Sequence, residues 1–146
     1  MPWQGQFRPK NPGKYVGDVN AIYYRSSLEY RLMKHLDAHP DVLHWNSEEV
    51  VVPYVKPTDN RIHRYFVDMV AQVKRQDGQI KTYLIEVKPY DQCFPPKQPK
   101  TRKQSARYLG EMATYAVNQA KWNAAKEFCK KQGWEFTVMT DRELRY

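Results

Sequence analysis

The sequence predicts an α/β fold in the order α, β, β, β, α, β, with a mixed central sheet flanked by helices. Three observations predict it. An amphipathic stripe follows Ser26, three runs rich in Val, Ile and Tyr lie between residues 48 and 88, and a longer helical stripe near the C-terminus leads into one more strand. A chain of 146 residues fits one domain and buries roughly two-thirds of the surface its unfolded form exposes.

Residues 1–20 carry Arg8, Lys10 and Lys14 among three prolines and three glycines, which predicts an extended arm ahead of a single domain over 21–146. Its scattered Trp3, Phe7 and Tyr15 either anchor the arm to the domain or stack on a nucleobase. From Ser26, the spacing of Leu28, Leu32, Met33 and Leu36 predicts a helix that ends at His39-Pro40. Residues 48–55, rich in Val and Tyr between polar segments, predict a strand. A second strand is expected over 64–73, with Phe66, Asp68 and Val70 on one face, and a third over 81–88. Between these two, Asp77-Gly78 supplies the positive φ of a tight hairpin. Residues 89–101 read as a loop, because Pro95, Pro96 and Pro99 forbid regular structure. The stripe of Leu109, Met112, Ala113, Ala116, Val117, Ala120, Ala124 and Phe128 then predicts one long helix or two abutting ones up to Gly133. Residues 134–140 form the last strand, and Asp141 begins a final turn.

The formal net charge of +8 favours polyanionic partners, since each Lys or Arg near a phosphate releases condensed counterions. No long basic helix carries a lipid-facing stripe, so nucleic acid is the expected partner rather than a membrane. The N-terminus lacks an apolar leader core and the apolar runs are too short to span a bilayer, which predicts a soluble protein that is not secreted. Cys93 and Cys129 lack the spacing of a zinc ribbon or a disulfide framework and suit a reducing compartment.

The chemistry concentrates on the second and third central runs. Alternation points Glu86 and Lys88 to the same face. Asp68 and Glu86 are equidistant in sequence from Asp77, so a hairpin centred there sets the two acids opposite each other. Opposed carboxylates destabilise a sheet unless neutralised, and a divalent cation with hard oxygen ligands neutralises them. A solvated surface ion pair is the competing explanation, worth about 0–1 kcal/mol. Against it, Tyr83, Leu84, Ile85 and Val87 on one run, and Phe66, Val67, Met69 and Val70 on the other, are apolar on both faces, as in interior strands. Charges there are costly outside a functional site.

Other candidates are weaker. Ser26-Ser27-Leu28-Glu29 matches a helix capping box, so Glu29 either caps the helix or faces the proposed metal, and both roles are compatible. His35 and His39 have a zinc-compatible i, i+4 spacing that equally suits polar residues near a helix C-terminus. His63 is a candidate phosphate contact. Lys97, Lys100, Arg102, Lys103 and Arg107 follow the third strand without an acid between residues 92 and 110, and are expected to grip a phosphate backbone.

At Asp68 and Glu86-Val87-Lys88 the chain resembles the PD-(D/E)xK nuclease superfamily. The segments Phe7-Arg8-Pro9-Lys10, Ser47-Glu48-Glu49, His63-Arg64-Tyr65-Phe66 and Tyr83 to Pro89 are similar to the head completion nucleases of T-even-type tailed phages, with TnsA-like transposase endonucleases as more distant relatives in appearance. Val67 stands where the superfamily signature usually has proline. The resemblance implies a restriction-endonuclease-like core and a Mg²⁺-dependent endonuclease, with Mn²⁺ as a substitute. Asp68, Glu86, the Val87 carbonyl and Glu29 would surround the metal, and Lys88 would act on the attacking water. It further implies double-stranded DNA as substrate, portal or neck proteins as neighbours, and a location in the virion or host cytoplasm. The biological step implied is the processing of packaged DNA ends before tail attachment. A non-catalytic DNA-binding neck protein on the same fold is the alternative.

Overall fold

The computed structural model describes residues 4–99 and 105–144. In chain order its elements are β1 (Gly5–Gln6), β2 (Tyr23–Tyr24), α1 (Ser27–Ala38), β3 (Val42–Ser47), β4 (Val51–Lys56), β5 (Arg61–Phe66), β6 (Met69–Lys74), β7 (Ile80–Val87), α2 (Ala106–Gln132) and β8 (Glu135–Met139). Short 3-10 turns occupy Pro12–Lys14 and Tyr90–Cys93. The main sheet has the order β3-β6-β7-β8, antiparallel except for the parallel β7–β8 pair that α2 connects. This is the mixed sheet between helices that the sequence predicts. Among the described residues no helix is long and apolar enough to cross a membrane.

Local chemistry sets the helix ends. Ser26 accepts a hydrogen bond from the Glu29 amide at 3.1 Å and starts α1, while Lys14 donates its ammonium to the carbonyls of Asp37 and His39 at the other end. His39 accepts the Asp41 amide at Nδ1, so this histidine is tied into the helix exit. Ser105 caps α2 by accepting from the Tyr108 amide, and Gly133, at φ 75°, closes it in the left-handed conformation that a side chain disfavours. One uninterrupted helix fills this stretch.

Two cores lie on opposite faces of the sheet. Leu28, Leu32, Met33 and Leu36 of α1 pack with Trp45, Met69, Ala71, Ile85 and Val87. Trp122, Ala125 and Cys129 of α2 pack with Leu84 and with Val52, Tyr54 and Tyr65 of a separate two-stranded ribbon, β4–β5. Adjacent Leu84 and Ile85 serve different cores because side chains alternate along β7.

The structure corrects two strand expectations. The residues expected as one strand over 64–73 belong to two: β5 ends the ribbon at Phe66, and β6 joins the main sheet at Met69. Tyr65, Val67, Met69 and Ala71 are all buried, so the alternation runs unbroken through the break, but the first two face α2 and the last two face α1. Val67 donates its amide to Val50 at 3.0 Å, a bond proline cannot make. The strand expected over 48–55 begins only at Val51, and β3 precedes it as an unpredicted edge strand. A register shift between Val42 and His44 removes the period-two pattern that marks a strand.

The N-terminal aromatics anchor rather than extend. Phe7 and Tyr15 are buried and meet the Trp45 ring edge-on, at centroid distances of 5.8 and 4.7 Å. Trp3 lies outside the described residues. Truncating a buried aromatic removes its transfer free energy and leaves a cavity, so Phe7→Ala is expected to cost about 3–5 kcal/mol. Denaturant unfolding checks this, and an unchanged midpoint would show that the segment contributes nothing to the core.

Candidate functional site

The expected hairpin register holds. Met69 pairs with Ile85 and Lys74 with Ile80, so continuing the ladder by one step brings Asp68 opposite Glu86. Asp68 itself sits just before β6, at the crossing from ribbon to sheet, where its carbonyl accepts the Glu48 amide and its Oδ2 accepts the Val87 amide at 2.9 Å. Asp68 is partly buried; Glu86 is buried on the face covered by α2.

Glu86 is held from two elements that the sequence reading did not single out. The Tyr65 hydroxyl of β5 donates to its Oε2 at 2.6 Å, and the Trp122 indole of α2 donates to the same oxygen at 3.0 Å. Neither residue carries a site assignment in the sequence reading, and only the tertiary packing of ribbon and helix against β7 brings their polar tips to one carboxylate. The sequence carries no spacing that links residues 65, 86 and 122.

The electrostatics follow from this burial. Desolvation, then the hydrogen bond and charge of Glu86, push the Asp68 carboxyl up to about 9, against the lowering effect of the Val87 amide. Burial also acts on Glu86, but hydrogen bonds from Asp68, Tyr65 and Trp122 and the nearby Lys88 charge outweigh it and hold Glu86 below its ordinary range. The pair therefore keeps one proton on Asp68 and a charge on Glu86. Tyr65, its own pKa raised by burial and by Glu86, remains a donor.

Lys88 follows β7 and donates its amide to Met139 at 3.0 Å, which extends the β7–β8 pairing and keeps the side chain near Glu86. Glu29 is buried at the start of α1, where its Oε2 accepts the Arg25 amide at 3.2 Å, so the capping role is realised one residue before the Ser26 cap. Burial, and the charge of Glu48, raise its pKa, and its charge reaches Asp68. Among the described residues no three His, Cys, Asp or Glu side chains form a cluster able to hold an ion. Two neighbouring carboxylates still suit Mg²⁺, which takes one or two protein carboxylates and fills its remaining positions with water and substrate phosphate.

Of the six expected phosphate contacts, three fall among the described residues. His63 lies within β5, not in a loop, with Nε2 2.7 Å from Asp59 Oδ2. Arg107 is exposed on α2 and pairs with Glu111 at 3.0 Å, and Lys97 is exposed. Lys100, Arg102 and Lys103 lie outside the described residues.

The shared proton has a consequence for stability. An unfolded Asp68 loses its proton near pH 4, while the folded one holds it to about 9, so raising the pH across that window stabilises the unfolded chain. An amide in place of this carboxyl keeps the hydrogen bonds without a titrating group. In EDTA at pH 8, Asp68→Asn is expected to melt several degrees above the parent, about 2–4 °C for each kcal/mol recovered. Parallel melting curves for the two proteins from pH 5 to 9 would contradict this charge arrangement.

Comparison with known proteins agrees with the geometry. Residues 39–141 match the family described as TnsA-like endonuclease N terminal. That span contains Asp68, Glu86 and Lys88, and leaves Glu29 on its N-terminal side. The chain is also 36% identical over 147 residues to the head completion nuclease of enterobacteria phage T4, covering 99% of this chain and 95% of that protein. With these matches, the second across nearly its full length, the chain belongs to the TnsA-like endonuclease family.

Proposed function

We propose that this chain is a Mg²⁺-dependent DNA endonuclease that hydrolyses phosphodiester bonds and processes packaged DNA ends during phage head completion, before the tail attaches. The observation that carries the chemistry is the Asp68–Glu86 pair, two carboxyls drawn together away from water, with the Lys88 charge beside them. The phage setting rests on the T4 relative. Double-stranded DNA is the substrate in this reading, portal or neck proteins are the neighbours, and the virion or host cytoplasm is the location.

Asp68, Glu86 and the Val87 carbonyl would hold the ion, with Glu29 adding negative field from the first turn of α1. Mn²⁺ accepts the same oxygen donors. When bound, such a cation supplies a Lewis acid that stabilises charge developing on phosphate oxygens and makes water more acidic. Lys88, a cation beside Glu86, orients the attacking water by donating from Nζ. Tyr65 and Trp122 fix one oxygen of Glu86, which keeps that carboxylate ionised and sets its orientation.

The test is DNA cleavage in Mg²⁺ by purified protein and three variants. Glu86→Gln is preferable to alanine, because alanine strands two buried donors at about 1–3 kcal/mol each. Glu86→Gln and Lys88→Ala are expected to lose cleavage by about 10²-fold or more, with circular dichroism unchanged. Tyr65→Phe should fall about 10- to 100-fold, through weaker metal affinity. Full activity in the Glu86 and Lys88 variants would sink the enzyme reading and leave a DNA-binding assembly protein.

A further inference from the structure

A cleft of about 750 Å³ opens between the segment after β7 and the N-terminal half of α2, with Gln92, Phe94, Gly110, Tyr115 and Asn118 in its lining. Its volume lies in the range of small-ligand pockets, about 300–1,000 Å³. Asn118 is the informative residue. It is 8% exposed and lines the cleft, and its carboxamide is not sealed from solvent without a partner, as Trp45 Nε1 and Asn46 Oδ1 are. A carboxamide at the wall of a cleft carries donors and an acceptor that a ligand's polar edge can meet. Asn118 also stands one helical turn before Trp122, on the same face of α2, and Trp122 holds Glu86. The cleft therefore approaches the acid pair along the helix.

The lining is wrong for a phosphate. Its one described cation, Arg107, is engaged by Glu111, and Asp91 adds a further acid. What it offers instead is two carboxamides, Gln92 and Asn118, and two rings. Phe94 is 49% exposed and braced edge-on against Tyr90 at 4.9 Å. Ring faces and amide edges are complementary to a flat, neutral, hydrogen-bonding group, and a nucleobase is that group in a DNA strand. A base that is stacked and paired in a duplex cannot enter a pocket.

We infer that this cleft binds the base of an unpaired nucleotide beside the scissile phosphate, so that the substrates are DNA ends with a single-stranded overhang or a frayed terminus. This rests on the nuclease reading and names the substrate class of the same site.

The experiment measures fluorescence anisotropy of labelled duplexes with the full chain in EDTA at low ionic strength, where nothing is cleaved. One duplex is blunt and the other carries an overhang. Gly110→Leu is the key variant, because a Cβ built there meets nothing within 4 Å and leucine favours the helix, so it fills the cleft without weakening α2. Phe94→Ala removes the exposed ring, and Asn118→Ala the amide. The parent is expected to bind the overhang duplex about tenfold more tightly, the factor one base–aromatic stack supplies. Gly110→Leu and Phe94→Ala should reduce that affinity to the blunt value and leave blunt binding unchanged. Equal binding of both duplexes by the parent, or discrimination that survives Gly110→Leu, would overturn the base pocket alone. No binding to either duplex would overturn the DNA nuclease reading with it.

Discussion

Two carboxyl groups face each other where the two inner strands of the sheet meet the crossing from the ribbon, and most of the surrounding architecture serves to keep them there. Like charges in that position repel and lack water, so the folded chain retains a proton on Asp68 that an ordinary aspartate gives up several pH units lower. A hydrophobic isostere would pack there at less cost to stability. In the proposed reading, two acids occupy the position because they share a cation that arrives from outside.

The elements around the pair can be understood from this constraint. The hairpin sets the register that opposes the acids. The break at Val67–Asp68 turns the chain out of the ribbon and into the sheet, and the Val87 amide then fixes Asp68 from the neighbouring strand. Ribbon and long helix each contribute one polar tip to the same oxygen of Glu86. Three segments distant in sequence thereby converge on one carboxylate, and its orientation depends on the packing of the whole α2 face.

Much of this was legible in the sequence. The α1 stripe and its cap, the long helix with its glycine stop, the Asp77-Gly78 hairpin and the opposition of Asp68 and Glu86 all follow from local spacing, because each is a statement about residues close in the chain or about a tight turn. The edge strand β3 escaped because its bulge erased the alternation. The division between β5 and β6 escaped because burial at 65, 67, 69 and 71 keeps one period while the partner core changes. Tyr65 and Trp122 escaped for a related reason: an aromatic with a polar tip looks like core, and what its tip meets is decided by tertiary packing. The basic segment after β7 shows the opposite limit, since charge pattern gives no information on whether Arg107 meets a phosphate or its own Glu111.

The most direct test of the central claim is anomalous diffraction from crystals of the protein grown with Mn²⁺. A single strong peak at coordination distance from both Asp68 and Glu86 is the result predicted. Manganese bound elsewhere in protein that still cleaves DNA, with the two carboxyls left in mutual contact, would contradict it.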